Sequence, residues 1–138
     1  MIKVPLASAG LTDSSIAAAK GVLESGNLTM GTEVRAFEQT MEQYLERKHF
    51  VMVNSGSSAN LAIIEACLRP TNGRPWLRSG DRVIVPAIAW PTTVWPLIQL
   101  GLNPVFVDVD PDTLGLDIDK VEELLMGPDS SGIRGIFV

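Results

Sequence analysis

The chain has 138 residues, 46% of them hydrophobic and 20% charged, which suits about one globular domain and excludes a disordered tail. Eleven basic against sixteen acidic residues leave a net charge of −5 with no basic run, so nucleic acid and anionic membrane are poor candidate partners. A single cysteine, Cys67, cannot close an internal disulfide and suits a reducing compartment.

The N-terminus lacks the charged start and apolar core of a signal peptide, and no apolar stretch reaches the roughly 18 residues of a membrane span. A soluble, cytoplasmic protein is the expectation. Two helices come first. Thr12-Asp13 can cap a segment with Ile16, Ala19 and Leu23 on one face and Gly26 at its end. Val34, Phe37, Met41 and Leu45 then repeat at helical spacing from 33 to about 47. Between them runs a loop, Ser25-Gly26-Asn27-Leu28-Thr29-Met30-Gly31.

Short strand-like runs follow at 49–53, 82–85, 104–107 and 135–138, separated by helical segments at about 57–68, 92–100 and 117–125. Apolar runs without alternation suit strands buried on both faces, and their alternation with helices predicts an α/β fold with a parallel sheet. The last run ends with the chain. A carboxylate at the end of a buried central strand would be costly, so a truncated chain is expected, with a solvated edge strand as the alternative.

Three segments can carry chemistry. Val51-Met52-Val53-Asn54-Ser55-Gly56-Ser57-Ser58-Ala59-Asn60-Leu61 reads as strand, turn and helix, with Leu61, Ile64 and Leu68 as its buried stripe. Gly56 permits close backbone approach, and a helix start with unpaired N–H groups and two hydroxyls can hold an anion; alternatively Ser57 or Ser58 only caps the helix. A P-loop would need Gly-Lys-Ser/Thr, a dinucleotide fingerprint two more glycines, and a hydrolase elbow a glycine where Asn60 stands.

In the second segment, Val85-Pro86-Ala87-Ile88-Ala89-Trp90-Pro91-Thr92-Thr93-Val94-Trp95-Pro96, Trp90 opens a helix at the carboxyl edge of the sheet, where open α/β sheets bind ligands. Its ring can face a planar group or simply pack; Trp95 reads as packing. The third segment, Asp108 to Asp119, mimics a calcium loop in the wrong register, with Thr113 where glycine is needed. Turn carboxylates, with Asp117 capping the next helix, explain it better. No Cys/His cluster offers a metal site, and Cys67 reads as packing.

The ordered motifs Gly26…Thr29-Met30-Gly31…Phe37-Glu38, Asn54-Ser55-Gly56-Ser57-Ser58-Ala59-Asn60-Leu61, Gly80-Asp81-Arg82-Val83-Ile84-Val85-Pro86-Ala87 and Pro104-Val105-Phe106-Val107-Asp108-Val109-Asp110 resemble the DegT/DnrJ/EryC1/StrS family. Gly-Ser-Ser-Ala-Asn with Trp90-Pro91-Thr92-Thr93 is nearest to the branch of the CDP-4-keto-6-deoxyglucose 3-dehydratases and related aminotransferases. The resemblance runs from about Gly26 to Val138. It implies a pyridoxal-phosphate enzyme acting on a nucleotide-linked keto sugar with an amino donor, a type I aminotransferase-like three-layer fold, and a homodimer.

On that resemblance, residues 1–48 form a helical arm and substrate-side loop. Residues 49–138 form the first part of the large cofactor-binding domain, truncated after about the fourth βα unit. Gly56, Ser57 and Ser58 would contact the cofactor phosphate, Trp90 would stack on its ring, and Thr29, Met30 and Gly31 would lie near the sugar nucleotide. The family's acid beneath the pyridine nitrogen, and its cofactor-bonding lysine or the histidine replacing it, match no position up to Val138. No catalytic residue is therefore assigned, and the chain alone is expected to be inactive. A non-catalytic anion-binding module and another type I pyridoxal-phosphate enzyme, such as a lyase, stay open.

Overall fold

The computed structural model describes residues 10–29, 31–70 and 72–138. The chain divides into two compact units, Met1–Met52 and Val53–Val138. In the first, α1 (Asp13–Ser25) begins where the Thr12 hydroxyl accepts the Ser15 amide at 3.2 Å, and it stops at Gly26. Gly26 sits at φ 69°, a left-handed conformation that costs glycine little, and its amide bonds back to the Leu23 carbonyl. The second helix, α2 (Thr32–Tyr44), ends before the predicted Arg47. Glu46 turns left-handed at φ 52°, and the Arg47 amide reaches back to the Glu42 carbonyl.

Residues 49–53 form no strand among the described residues, contrary to the sequence expectation. Their amides are met by side chains instead. The Phe50 N–H donates to Glu42 Oε1 at 3.1 Å and the Met52 N–H to Glu38 Oε1 at 2.9 Å. The spacings agree. Two residues of extended backbone cover about 6.7 Å. One helical turn, from Glu38 to Glu42, rises about 6 Å. Phe37 adds an edge-on contact to Phe50, ring centroids 5.8 Å apart. An apolar run thus finds its backbone partners on an acidic helix face.

The second unit contains α3 (Gly56–Leu68), β1 (Arg82–Pro86), α4 (Pro91–Gln99), β2 (Asn103–Val107), α5 (Ile118–Met126), a 3₁₀ turn (Pro128–Ser130) and β3 (Ile133–Ile136). The sheet has the order β2-β1-β3, with β1 parallel to both neighbours. Among the described residues β1 alone has a neighbour on each side, and its Val83, Ile84 and Val85 are at most 2% exposed. Val83 and Val85 pack with Ile64, Leu77, Leu97 and Leu102, taking in α3 and α4; Ile84 packs with Val107 and Val121, taking in α5. Alternation along one strand thus divides the core between two faces, giving helix, sheet and helix layers.

Three strands are present among the described residues, so the expected first strand is missing from the sheet. The last strand differs too. It spans Ile133–Ile136 rather than 135–138 and lies at an edge with every second residue exposed, instead of being buried on both faces. The cause is topological: the connections place β2 on one side of β1 and β3 on the other, so among the described residues each has a single neighbour. Arg82, at the start of β1, donates its guanidinium to the carbonyls of Asp129 and Ser131 and ties down the turn before β3. Among the described residues, no helix is long and apolar enough to cross a membrane.

Candidate functional site

The start of α3 has the geometry of an anion holder. Ser55, not Ser57 or Ser58, is the helix cap: its hydroxyl accepts the Ser58 amide at 3.2 Å. The Ser58 hydroxyl is committed backwards, donating to Asn54 Oδ1 at 2.6 Å and lying 3.2 Å from the Ser55 hydroxyl. Among the described residues, the amides of Gly56 and Ser57 and the Ser57 hydroxyl have no protein partner. A methyl group on Gly56 would meet no atom within 4 Å, so the backbone here is open to close approach. Two free N–H groups at the positive end of a 13-residue helix, with one free hydroxyl, favour a bound anion.

Helix α4 brings its first turns to the same place. Four residues separate it from β1, with Pro91 at its first position and Trp90 as its cap residue. The Asn60 side chain, one turn into α3, donates to the Thr92 carbonyl at 3.1 Å. A groove of about 440 Å³ runs between the helices, lined by Ser57, Ser58, Leu61, Thr92, Trp95, Pro96 and Gln99. Trp95, expected to pack, is 55% exposed and forms part of this groove, whereas Trp90 is 74% exposed and does not line it. The expected stripe on α3 is correspondingly uneven: Ile64 is buried, Leu68 is half-buried, and Leu61 faces the groove at 40% exposure.

No side chain lining the groove titrates near neutral pH, so these residues can bind and orient a ligand but offer no acid or base. In the first unit, Thr29 and Gly31 line a separate groove of about 540 Å³ between α1 and α2, with Ser25, Asn27, Leu28 and Glu33 on its walls. Met30 lies outside the described residues.

The acidic loop after β2 is a turn, as its register implied. Asp110 accepts the amides of Asp112 at 2.7 Å and Thr113 at 2.8 Å. The Thr113 amide first, then that of Asp112, holds its carboxyl below the usual range. Asp117 caps α5 by accepting the Lys120 amide. Cys67 is half-buried against the core. Asn60 and Ser55 escaped assignment by sequence. Ser55 had a signal, since serine directly before a helix start is a preferred cap; Asn60 had one only jointly with Pro96, which strips a helix of a donor.

The second unit is thus a layered α/β fold in which the unpartnered amides at the start of α3 lie beside the first turn of α4. The chain belongs to the DegT/DnrJ/EryC1/StrS aminotransferase family, whose model matches residues 10–133. It is 42% identical over 125 residues to the GDP-4-keto-6-deoxy-D-mannose 3-dehydratase of Yersinia pseudotuberculosis, an alignment covering 91% of this chain and 31% of the relative. It is 31% identical over 123 residues to the UDP-4-amino-4-deoxy-L-arabinose–oxoglutarate aminotransferase of Shewanella sediminis, covering 88% of this chain and 29% of that one. Among solved structures, the E. coli GDP-4-keto-6-deoxy-D-mannose-3-dehydratase with bound hydrated PLP superposes with a TM-score of 0.85 at 40% identity. That match covers 99% of this chain and 33% of the other, so the chain spans about a third of the length of the relatives it matches.

Proposed function

We propose that this chain supplies the cofactor-phosphate cradle of a pyridoxal-phosphate enzyme acting on a nucleotide-linked keto sugar. The observation that carries the reading is the pair of unpartnered amides at Gly56 and Ser57, beside the free Ser57 hydroxyl. Their donor set fits a phosphate dianion: backbone N–H groups bind oxygen without adding charge, which explains how an acidic chain accommodates it. Pyridoxal phosphate supplies an electron sink when bound. The residues here hold its phosphate, with Gly56 giving backbone access, Ser57 and Ser58 hydroxyls, and Trp90 a flat face at the neighbouring helix start. Ser58 takes part by releasing Asn54, the acceptor it now donates to.

Residues 1–48 are the substrate-side arm in this reading, with Thr29, Met30 and Gly31 toward the sugar nucleotide, and residues 49–138 begin the cofactor-binding domain. A homodimer in the cytoplasm completes it. Dehydration at the sugar is favoured over transamination because the 3-dehydratase relative is 42% identical and the aminotransferase relative 31%.

The test is uptake of pyridoxal phosphate by the full-length protein carrying this chain, read by its absorbance after gel filtration. Ser57→Ala with Ser58→Ala is expected to lower retention at least about tenfold, the loss of one or two hydrogen bonds to a charged group. Unchanged retention would refute the cradle. Binding of inorganic phosphate without any uptake of the cofactor would favour an anion-binding module instead.

A further inference from the structure

We propose that Asn60 is a positioning residue, fixing the start of α4 to the phosphate cradle through a carbonyl that Pro96 leaves without a backbone donor. The inference rests on the cradle reading above. In an α-helix the carbonyl of residue 92 would accept the N–H of residue 96. Residue 96 is proline, within α4 and buried, so that donor does not exist. Thr92 is half-buried, and a bare carbonyl in the seam between two helices is unfavourable. Asn60 Nδ2 fills the gap at 3.1 Å, across 32 residues of sequence.

The placement of this bond gives it consequence. Asn60 lies three residues beyond Ser57, hence on the same side of α3, and Thr92 lies two residues beyond Trp90. Among the described residues it is the one hydrogen bond joining α3 to α4. It therefore sets how far the open amides of the cradle stand from the aromatic cap of α4. The side chain must be short and must donate. Aspartate would turn an acceptor toward an acceptor, and leucine would keep the branching at Cγ, with more bulk, while removing the donor. Proline is the other half of the device, because it makes the Thr92 carbonyl depend on a partner outside its own helix.

A cycle of Asn60→Leu and Pro96→Ala in the full-length protein tests this, read by melting temperature, by cofactor retained through gel filtration, and by the visible circular dichroism of what is retained. Asn60→Leu is expected to lower the melting temperature, to cut retention about tenfold and to change the dichroic band. Pro96→Ala gives the Thr92 carbonyl a backbone donor. In that background Asn60→Leu should leave the melting temperature close to wild type while retention stays low, because the link between helices is still missing. Retention recovering together with melting would overturn the positioning role and leave Asn60 a structural donor only. Retention within about twofold of wild type in Asn60→Leu would overturn it as well. The cradle reading fails differently: if Asn60→Leu loses cofactor while Ser57→Ala with Ser58→Ala does not, the link stands and the phosphate assignment falls.

Discussion

In the second unit Ile84, Val85 and Leu97 are wholly shut off from water, whereas in the first no residue of α1 or α2 is buried. The difference follows from what each unit has to pack. A central strand flanked by helices on both faces gives apolar side chains two enclosed layers, and the resulting order is collective. Two helices and a short extended segment cannot enclose anything. Ile16, Leu23, Phe37 and Leu45 all stay more than 40% exposed. The first unit relies on local bonds instead: the Thr12 cap, the left-handed stop at Gly26, and two carboxylates on the amides of Phe50 and Met52.

Leu97→Ala should break this contrast most severely. Leu97 is fully buried among Ile64, Val83, Val85 and Leu102, and truncation there is expected to cost about 2–5 kcal/mol in urea unfolding of the second unit. Phe37→Ala is the matched lesion in the first unit. The ring is 46% exposed and makes one aromatic contact, so a cost of about 1–2 kcal/mol is expected. Equal costs would mean that burial does not distinguish the units. A smaller effect, about 1 kcal/mol, is expected of Glu38→Ala, which strips the Met52 amide of its acceptor in an exposed setting. Amide exchange at Met52 should quicken in that variant and recover in Glu38→Gln, which keeps an acceptor oxygen.

What the sequence revealed divides along the same line. Helices α1, α3, α4 and α5 and strands β1 and β2 were legible to within a residue or two, because periodicity, caps and punctuation are local properties. The helix start at Gly56 was legible for the same reason. The run at 49–53 was not, since an apolar extended segment looks the same whether its amides meet another strand or the carboxylates of Glu38 and Glu42. For β3 the sequence left a buried central strand and an edge strand both open, because strand order depends on how the connections cross. Asn60 was hidden because its partner carbonyl is 32 residues away and becomes available only through Pro96.

One segment of the second unit behaves like the first, and it offers the finest test. The loop after β2 is held by Asp110, whose carboxylate accepts two backbone amides at an exposed turn rather than filling a core. Those bonds favour the charged form and lower its pKa. Because the folded value lies below the unfolded one, the turn's contribution is complete above about pH 4 and disappears as pH falls through the folded value. The amide proton shifts of Asp112 and Thr113 should therefore hold steady from neutral pH down to about pH 4 and then move together. In Asp110→Asn the oxygen still accepts but carries no charge, so both shifts should start displaced and stay flat through the acid range. Flat shifts in the unaltered protein would show that the turn does not depend on the carboxylate charge. Its order would then come from the Val109–Leu116 bridge and the Asp110 N–H to Gly115 carbonyl bond, the kind of backbone pairing that marks the rest of the unit.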